Sequence, residues 1–223
     1  MNGKSTIAKE VRESVLSPVD RVSELLFGLF MALTFVGAVS VAETGREQIE
    51  AMFIAAVGCN LAWGLVDAVM FLVRTVTDRG RTLTLVRLVR GARDAQSACG
   101  LIERSLTPVV AGLVSPAEIE AIRGRIVALP SVPPRPTIER DDLLAALAIF
   151  LIVVASTFPV VLPFVLIDDV AMAKNLSRAI ALAMLFLGGL ALGRYAGYGS
   201  WRVGLMMAGL GTGLVLAITA LGG

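Results

Sequence analysis

The sequence predicts an all-α integral membrane protein: five transmembrane helices, with a short cytoplasmic helical segment between the second and third. Three observations carry this reading. Of the 223 residues, 56% are hydrophobic and the mean hydropathy is +0.80, too apolar for an ordinary soluble domain. Apolar runs recur near residues 25–42, 51–73, 143–167, 179–193 and 203–221, and about 20 helical residues cross a hydrocarbon core. The charged residues, 17% of the chain, gather before residue 25, between 74 and 142, and in short clusters between the runs. The chain therefore divides into residues 1–74 with the first two spans, 75–141 outside the membrane, and 142–223 with the last three.

The first span is introduced by Ser17-Pro18-Val19-Asp20, an N-cap serine, a proline at the first helical position and a carboxylate at the third. The second occupies residues 51–73. Between the second and third spans, residues 83–104 form a helix with Leu85, Leu88, Val89 and Ala92 on one side. Ser115-Pro116-Ala117-Glu118 repeats the capping pattern and starts a short helix that ends before Pro130. Pro130, Pro133, Pro134 and Pro136 then give a stiff extended linker into the third span. The fourth run is the shortest and draws on flanking residues to reach spanning length.

Lysine and arginine orient these spans. Residues 74–140 hold eleven arginines against six acids, and residues 43–50 one arginine against three acids. Arg194 and Arg202 flank the last connection. The N-terminus and the middle region are thus expected in the cytoplasm and the C-terminus outside, in the bacterial inner (plasma) membrane. No removable signal peptide is indicated, because the N-terminus mixes charges of both signs with no short apolar core.

Several chemistries are disfavoured. There is no histidine, the usual ligand for zinc, copper and haem, and Cys59 and Cys99 stand apart with no metal-ligand spacing. No glycine-rich phosphate loop and no nucleophile–base pair is visible, so neither an enzyme nor a resident cofactor is expected. The arginines adjoin a membrane without interleaved aromatics, which suits lipid headgroups and argues against nucleic acid.

The residues that stand out are polar ones at membrane depth. Asp67 lies inside the second apolar run, where a carboxylate costs roughly 2.5–3.5 kcal/mol on insertion scales. Asn60 precedes it by seven residues, on nearly the same face at about 100° per residue, with Gly64 between them and Met70 just beyond. This stripe points to passage of a cation or proton. The alternatives are an ion pair of Asp67 with Arg74, or hydrogen bonds from either residue to another helix. In the first span Asp20 and Glu24 share a face, and Met31 falls on it three turns on. Two carboxylates with a thioether suit a divalent transition-metal ion at the cytoplasmic mouth. The plainer reading is a helix cap for Asp20, and for Glu24 a pair with Arg21 or a lipid amine. In the third span Pro159 and Pro163 free the carbonyls of Ala155 and Pro159 beside Ser156 and Thr157. These groups either line a cavity or mark a kink. Gly189, Gly193 and Gly197, and Gly209 and Gly213, form small-residue stripes for packing within the chain or across a homodimer.

These features resemble the vacuolar iron transporter (VIT-like) family, which has five spans, a cytoplasmic N-terminus, a cytoplasmic helical segment after span two and a C-terminus on the far side. The family's opening aspartate and nearby serine are matched by Asp20-Arg21-Val22-Ser23, with Arg21 where the family has glycine. Its third-span proline pair and aromatic are resembled by Pro159, Pro163 and Phe164. Aligned on Gly64, the family's second-span methionine and glutamate fall on Leu61 and Leu65, and its glutamate-rich cytoplasmic helices are reduced to Glu103, Glu118 and Glu120. The resemblance implies a dimeric exporter of Fe2+ or Mn2+ in exchange for protons, with Asp67 and Asn60 in place of the family ligands.

The expectation is thus a homodimeric transporter of divalent metal ions out of the cytoplasm. Asp20, Glu24 and Met31 would serve the mouth, and Asn60, Asp67 and Met70 the mid-membrane site. Two rivals remain: a non-transporting membrane scaffold or regulatory subunit, and a transporter of a non-metal substrate.

Overall fold

The computed structural model describes residues 16–41, 46–197 and 199–221. Of the connection expected at residues 43–50, residues 43–45 lie outside them, and residues 46–50 already belong to a helix. Among the described residues the fold is helical throughout, with no strand: α1 (Pro18–Val41), α2 (Arg46–Arg90), α3 (Ala95–Ser105), α4 (Pro108–Ala111), α5 (Pro116–Val127), α6 (Arg140–Leu166), α7 (Val170–Ala196) and α8 (Ser200–Leu221). Among the described residues four stretches are long and apolar enough to cross a membrane: Val57–Arg90, Arg140–Leu166, Val170–Tyr195 and Ser200–Leu221. The chain forms two compact units, Phe71–Arg140 and the remainder.

In the larger unit, α1 supplies the centre of the core. Leu26, Leu29, Leu33 and Val36 repeat at helical spacing and are buried with Val160 of α6, Ala181 and Leu185 of α7 and Val215 of α8. Phe35 and Phe164 meet edge to face with ring centroids 6.0 Å apart. Helices α7 and α8 run antiparallel through a glycine seam. A Cβ on Gly189 would stand 2.7 Å from the Gly204 Cα, and one on Gly193 2.6 Å from the Ser200 Cα. Gly197 is not part of that seam; it ends α7 in the left-handed conformation at φ 73°, which glycine adopts without strain. Gly209 and Gly213 have open space around them, and the glycines of α8 that pack are Gly204 and Gly211, seven apart.

The smaller unit corrects one boundary. Residues 83–104 are not one helix: α2 continues unbroken from the apolar run to Arg90, and α3 starts anew at Ala95. Charge marks where a helix leaves the membrane, but it does not end the helix. Thr75, Thr77, Thr82 and Thr84 each fold a hydroxyl onto the carbonyl four residues back, so the polar stretch is satisfied as helix. The break comes at Gly91, and Asp94 caps α3 by accepting from the Ser97 N–H at 2.7 Å. Ser115 and Glu118 form the expected reciprocal capping box of α5. Leu85, Val89 and Ala92 pack with Ala98, Ile102 and Ile119, whereas Leu88 is exposed.

The proline linker lies along α2. Arg87 donates to the carbonyls of Pro133 and Pro134, at 2.9 and 2.7 Å, and Arg79 to that of Thr137 at 2.7 Å. The eight steps from residue 79 to residue 87 rise about 12 Å as helix. An extended proline-rich chain advances about 3.1 Å per residue, so residues 134–137 cover much the same distance in the opposite direction.

Candidate functional site

The most buried polar group of α2 faces α6. Gly64 makes the approach possible, since a Cβ there would already lie 3.3 Å from the Phe150 ring. One turn earlier Asn60, 5% exposed, donates through Nδ2 to the Thr157 hydroxyl and, at 3.4 Å, to the Val153 carbonyl. That carbonyl also accepts from Ser156 Oγ at 2.7 Å and from Thr157 Oγ1 at 3.3 Å. On the other side of Ser156 sits Gly28 of α1, where a Cβ would clash with Ser156 Oγ and stand 2.8 Å from the Val153 carbonyl. One polar layer, from Gly28 through Ser156 and Thr157 to Asn60, therefore joins three helices.

This layer is not closed. Asn60 Oδ1 is buried and has no hydrogen-bond partner among the described residues. Leaving such an acceptor unmet costs about 1–3 kcal/mol. A cavity of about 10 Å³, the size of one water, opens beside it, lined by Val57, Val154, Thr157, Phe158 and Val161.

Asp67 follows two turns later and is partly exposed, with Trp63, Val66 and Met70 exposed around it. Among the described residues its carboxylate has no hydrogen bond or ion pair. Trp63 meets Phe27 of α1 edge to face at 6.3 Å.

The remaining candidates are on α1. Asp20 and Ser17 cap the helix reciprocally: the Ser17 N–H donates to Asp20 Oδ2 and the Asp20 N–H to Ser17 Oγ, both at 3.1 Å. The capping reading of Asp20 is thus realised. Glu24 and Met31 are both half-buried, and the Met31 carbonyl accepts from the Thr34 hydroxyl at 2.6 Å. Among the described residues no three carboxylates or cysteines gather closely enough to hold a metal ion. Any ion held at membrane depth would need the amide of Asn60, hydroxyls, carbonyls or a second copy of the chain to complete its shell.

Two polar contacts were not legible as pairs. Thr157 stands out beside the prolines, but nothing local ties it to Asn60. Ser177 of α7 is fully buried and donates to the Val160 carbonyl, a contact no motif announces. Helix α6 continues through Pro159 and Pro163, and these hydroxyls go to Val153 and Val160.

The chain matches no protein-family model and no curated protein.

Proposed function

We propose that this chain is a membrane transporter for a divalent transition-metal ion, Fe2+ or Mn2+, exchanged for protons and carried out of the cytoplasm. In this reading α1 is the fifth span, the N-terminus is cytoplasmic, the C-terminus is outside, and the bacterial inner membrane is the location. The resemblance to vacuolar iron transporters supports the class of cargo. One observation carries the reading: the buried Asn60 oxygen beside a water-sized cavity, two turns from Asp67, with neither group partnered among the described residues. Chains retain intramembrane polar groups at such cost mainly where ions or protons pass. Asp67 and Asn60 supply oxygen donors mid-membrane, with Met70 as a soft neighbour, and Asp20, Glu24 and Met31 serve the mouth. A homodimer would complete the shell around Asp67 and cover the open Gly209–Gly213 face of α8.

The test is uptake of Fe2+ and Mn2+ by proteoliposomes carrying a metal-sensitive dye. Asp20→Ala and Asn60→Leu should each slow uptake about tenfold or more, as loss of a supporting group does at metal sites. Unchanged rates in both variants would remove the site assignment. A second reading, a non-transporting membrane scaffold, draws on the same open glycine face. It expects no flux from the wild type and loss of a partner complex when Gly209 or Gly213 is enlarged.

A further inference from the structure

The link between α3 and α5 exposes the two barest aliphatic side chains of Phe71–Arg140. Val109 is 75% exposed and Leu113 79%, with Val110 at 42%. Val109 and Leu113 are four apart, and the segment is held in one turn by the Leu113 and Val114 N–H groups donating to the Val110 carbonyl at 3.0 and 3.1 Å. In water such a cluster buries nothing.

The path of the chain fixes which end of this unit carries it. Helix α2 runs out of an apolar stretch as far as Arg90, and only residues 91–94 separate it from α3. A connection that short, with Ala98 and Ile102 packed in one core with Val89, folds α3 back along α2. Eleven residues of α3 return about 16 Å. By Pro133 the chain is again beside Arg87, at the far end. Helix α5 therefore ran outward, and it started from the near end. Val109 and Leu113 thus sit towards the end of the unit where α2 emerges from its apolar stretch, just beyond the end of α3, which is about level with Arg79. Arg74, Arg79 and Arg81 lie on α2 towards that end, Arg79 donating to the Thr137 carbonyl and Arg81 3.7 Å from Asp78, and Arg140 lies where the chain turns into α6.

We propose that residues 107–114 dock on the bilayer the chain spans, with Val109, Val110 and Leu113 entering the adjacent leaflet and the arginines meeting anionic headgroups. An exposed apolar turn beside a basic belt is the pattern of an interfacial anchor. The inference requires only that α2 crosses a bilayer, so it stands or falls apart from transport.

The test uses the full chain with Cys59 and Cys99 replaced by serine, reconstituted in phosphatidylcholine–phosphatidylglycerol vesicles. An environment-sensitive fluorophore is attached at Leu113→Cys or, as a control at the far end of α5, at Val127→Cys. The label at 113 should emit blue-shifted and lose about half its intensity to spin-labelled lipid. The label at 127 should be quenched only by aqueous iodide. Adding Val109→Asp, an exposed site away from the core, should return the 113 label to water without loss of helix. A 113 label quenched by iodide as fully as 127 would overturn the proposal. So would one shielded from both iodide and spin-labelled lipid, since a second copy or another protein would then cover the turn. Lipid quenching that survives Val109→Asp would also overturn it, because the apolar face would not be what holds the segment.

Discussion

At the scale of single residues, Asn60 separates what the fold needs from what the site needs. Its amide reaches Thr157, but its Oδ1 is buried and unmet among the described residues. Asn60→Leu removes both polar ends, and Thr157 keeps its bond to the Val153 carbonyl. Removing a buried acceptor that has no partner relieves its desolvation cost, which offsets the one donor that Thr157 loses. Asn60→Leu should therefore leave the thermal midpoint in detergent unchanged or raised, while ion uptake falls. A variant that unfolds early would make Asn60 a packing residue. Gly28 makes the opposite case. A methyl group there meets Ser156 Oγ and the Val153 backbone, so Gly28→Ala should destabilise by about 1–3 kcal/mol, the usual cost of overpacking. Adding Ser156→Ala should recover part of that loss, because it removes the nearer obstacle but leaves the backbone. Chemical unfolding of the single and double variants measures both effects.

At the scale of elements, α3 and α5 are held by apolar packing and one polar bridge. The Cys99 thiol donates to Glu120 Oε2 at 3.3 Å, and Arg123 grips the same carboxylate, with Nε 2.7 Å from Oε2. The Arg123 hydrogen bonds, followed by the thiol, lower the Glu120 pKa to about 2. Desolvation, followed by the Glu120 hydrogen bond and charge, raises that of Cys99. A depressed carboxylate stabilises the fold above its unfolded pKa, and that contribution is lost as pH falls through the folded value. The α3–α5 contact should therefore loosen as pH drops from about 4.5 towards about 2. Amide exchange in Ile102 and Ile119 reads this out, and Glu120→Gln should flatten the dependence. Glu120→Ala should also speed alkylation of Cys99 near about pH 8, since more thiolate forms once the carboxylate is gone. Much at this scale was legible beforehand. Ser115-Pro116-Ala117-Glu118 and Ser17-Pro18-Val19-Asp20 mark helix starts with local chemistry, and both caps form. The reach of α2 to Arg90 was not legible, because arginines report the edge of a bilayer and say little about the end of a helix.

At the scale of the whole chain, hydropathy identified the membrane class and charge distribution set the expected orientation, since both are sums over many residues. The partner of Asn60 was hidden: Thr157 lies 97 positions away, and no local period encodes which helix a stripe will face. The glycines show the same limit. Repeats of four singled out Gly209 and Gly213, while packing uses Gly204 and Gly211, because seven residues bring a helix back to the same face. Gly209 and Gly213 remain on an open face, where a second copy would fit. In the proposed transporter that copy encloses Asp67, whose carboxylate has no partner among the described residues. The most direct measurement is Mn2+ entry into dye-loaded proteoliposomes, wild type beside Asp67→Asn, with internal pH followed at the same time. The wild type should show Mn2+ flux with opposing proton movement, and Asp67→Asn should lose both. Absence of flux for Mn2+ and Fe2+ from folded, correctly inserted protein, or flux indifferent to Asp67, would contradict transport through Asp67.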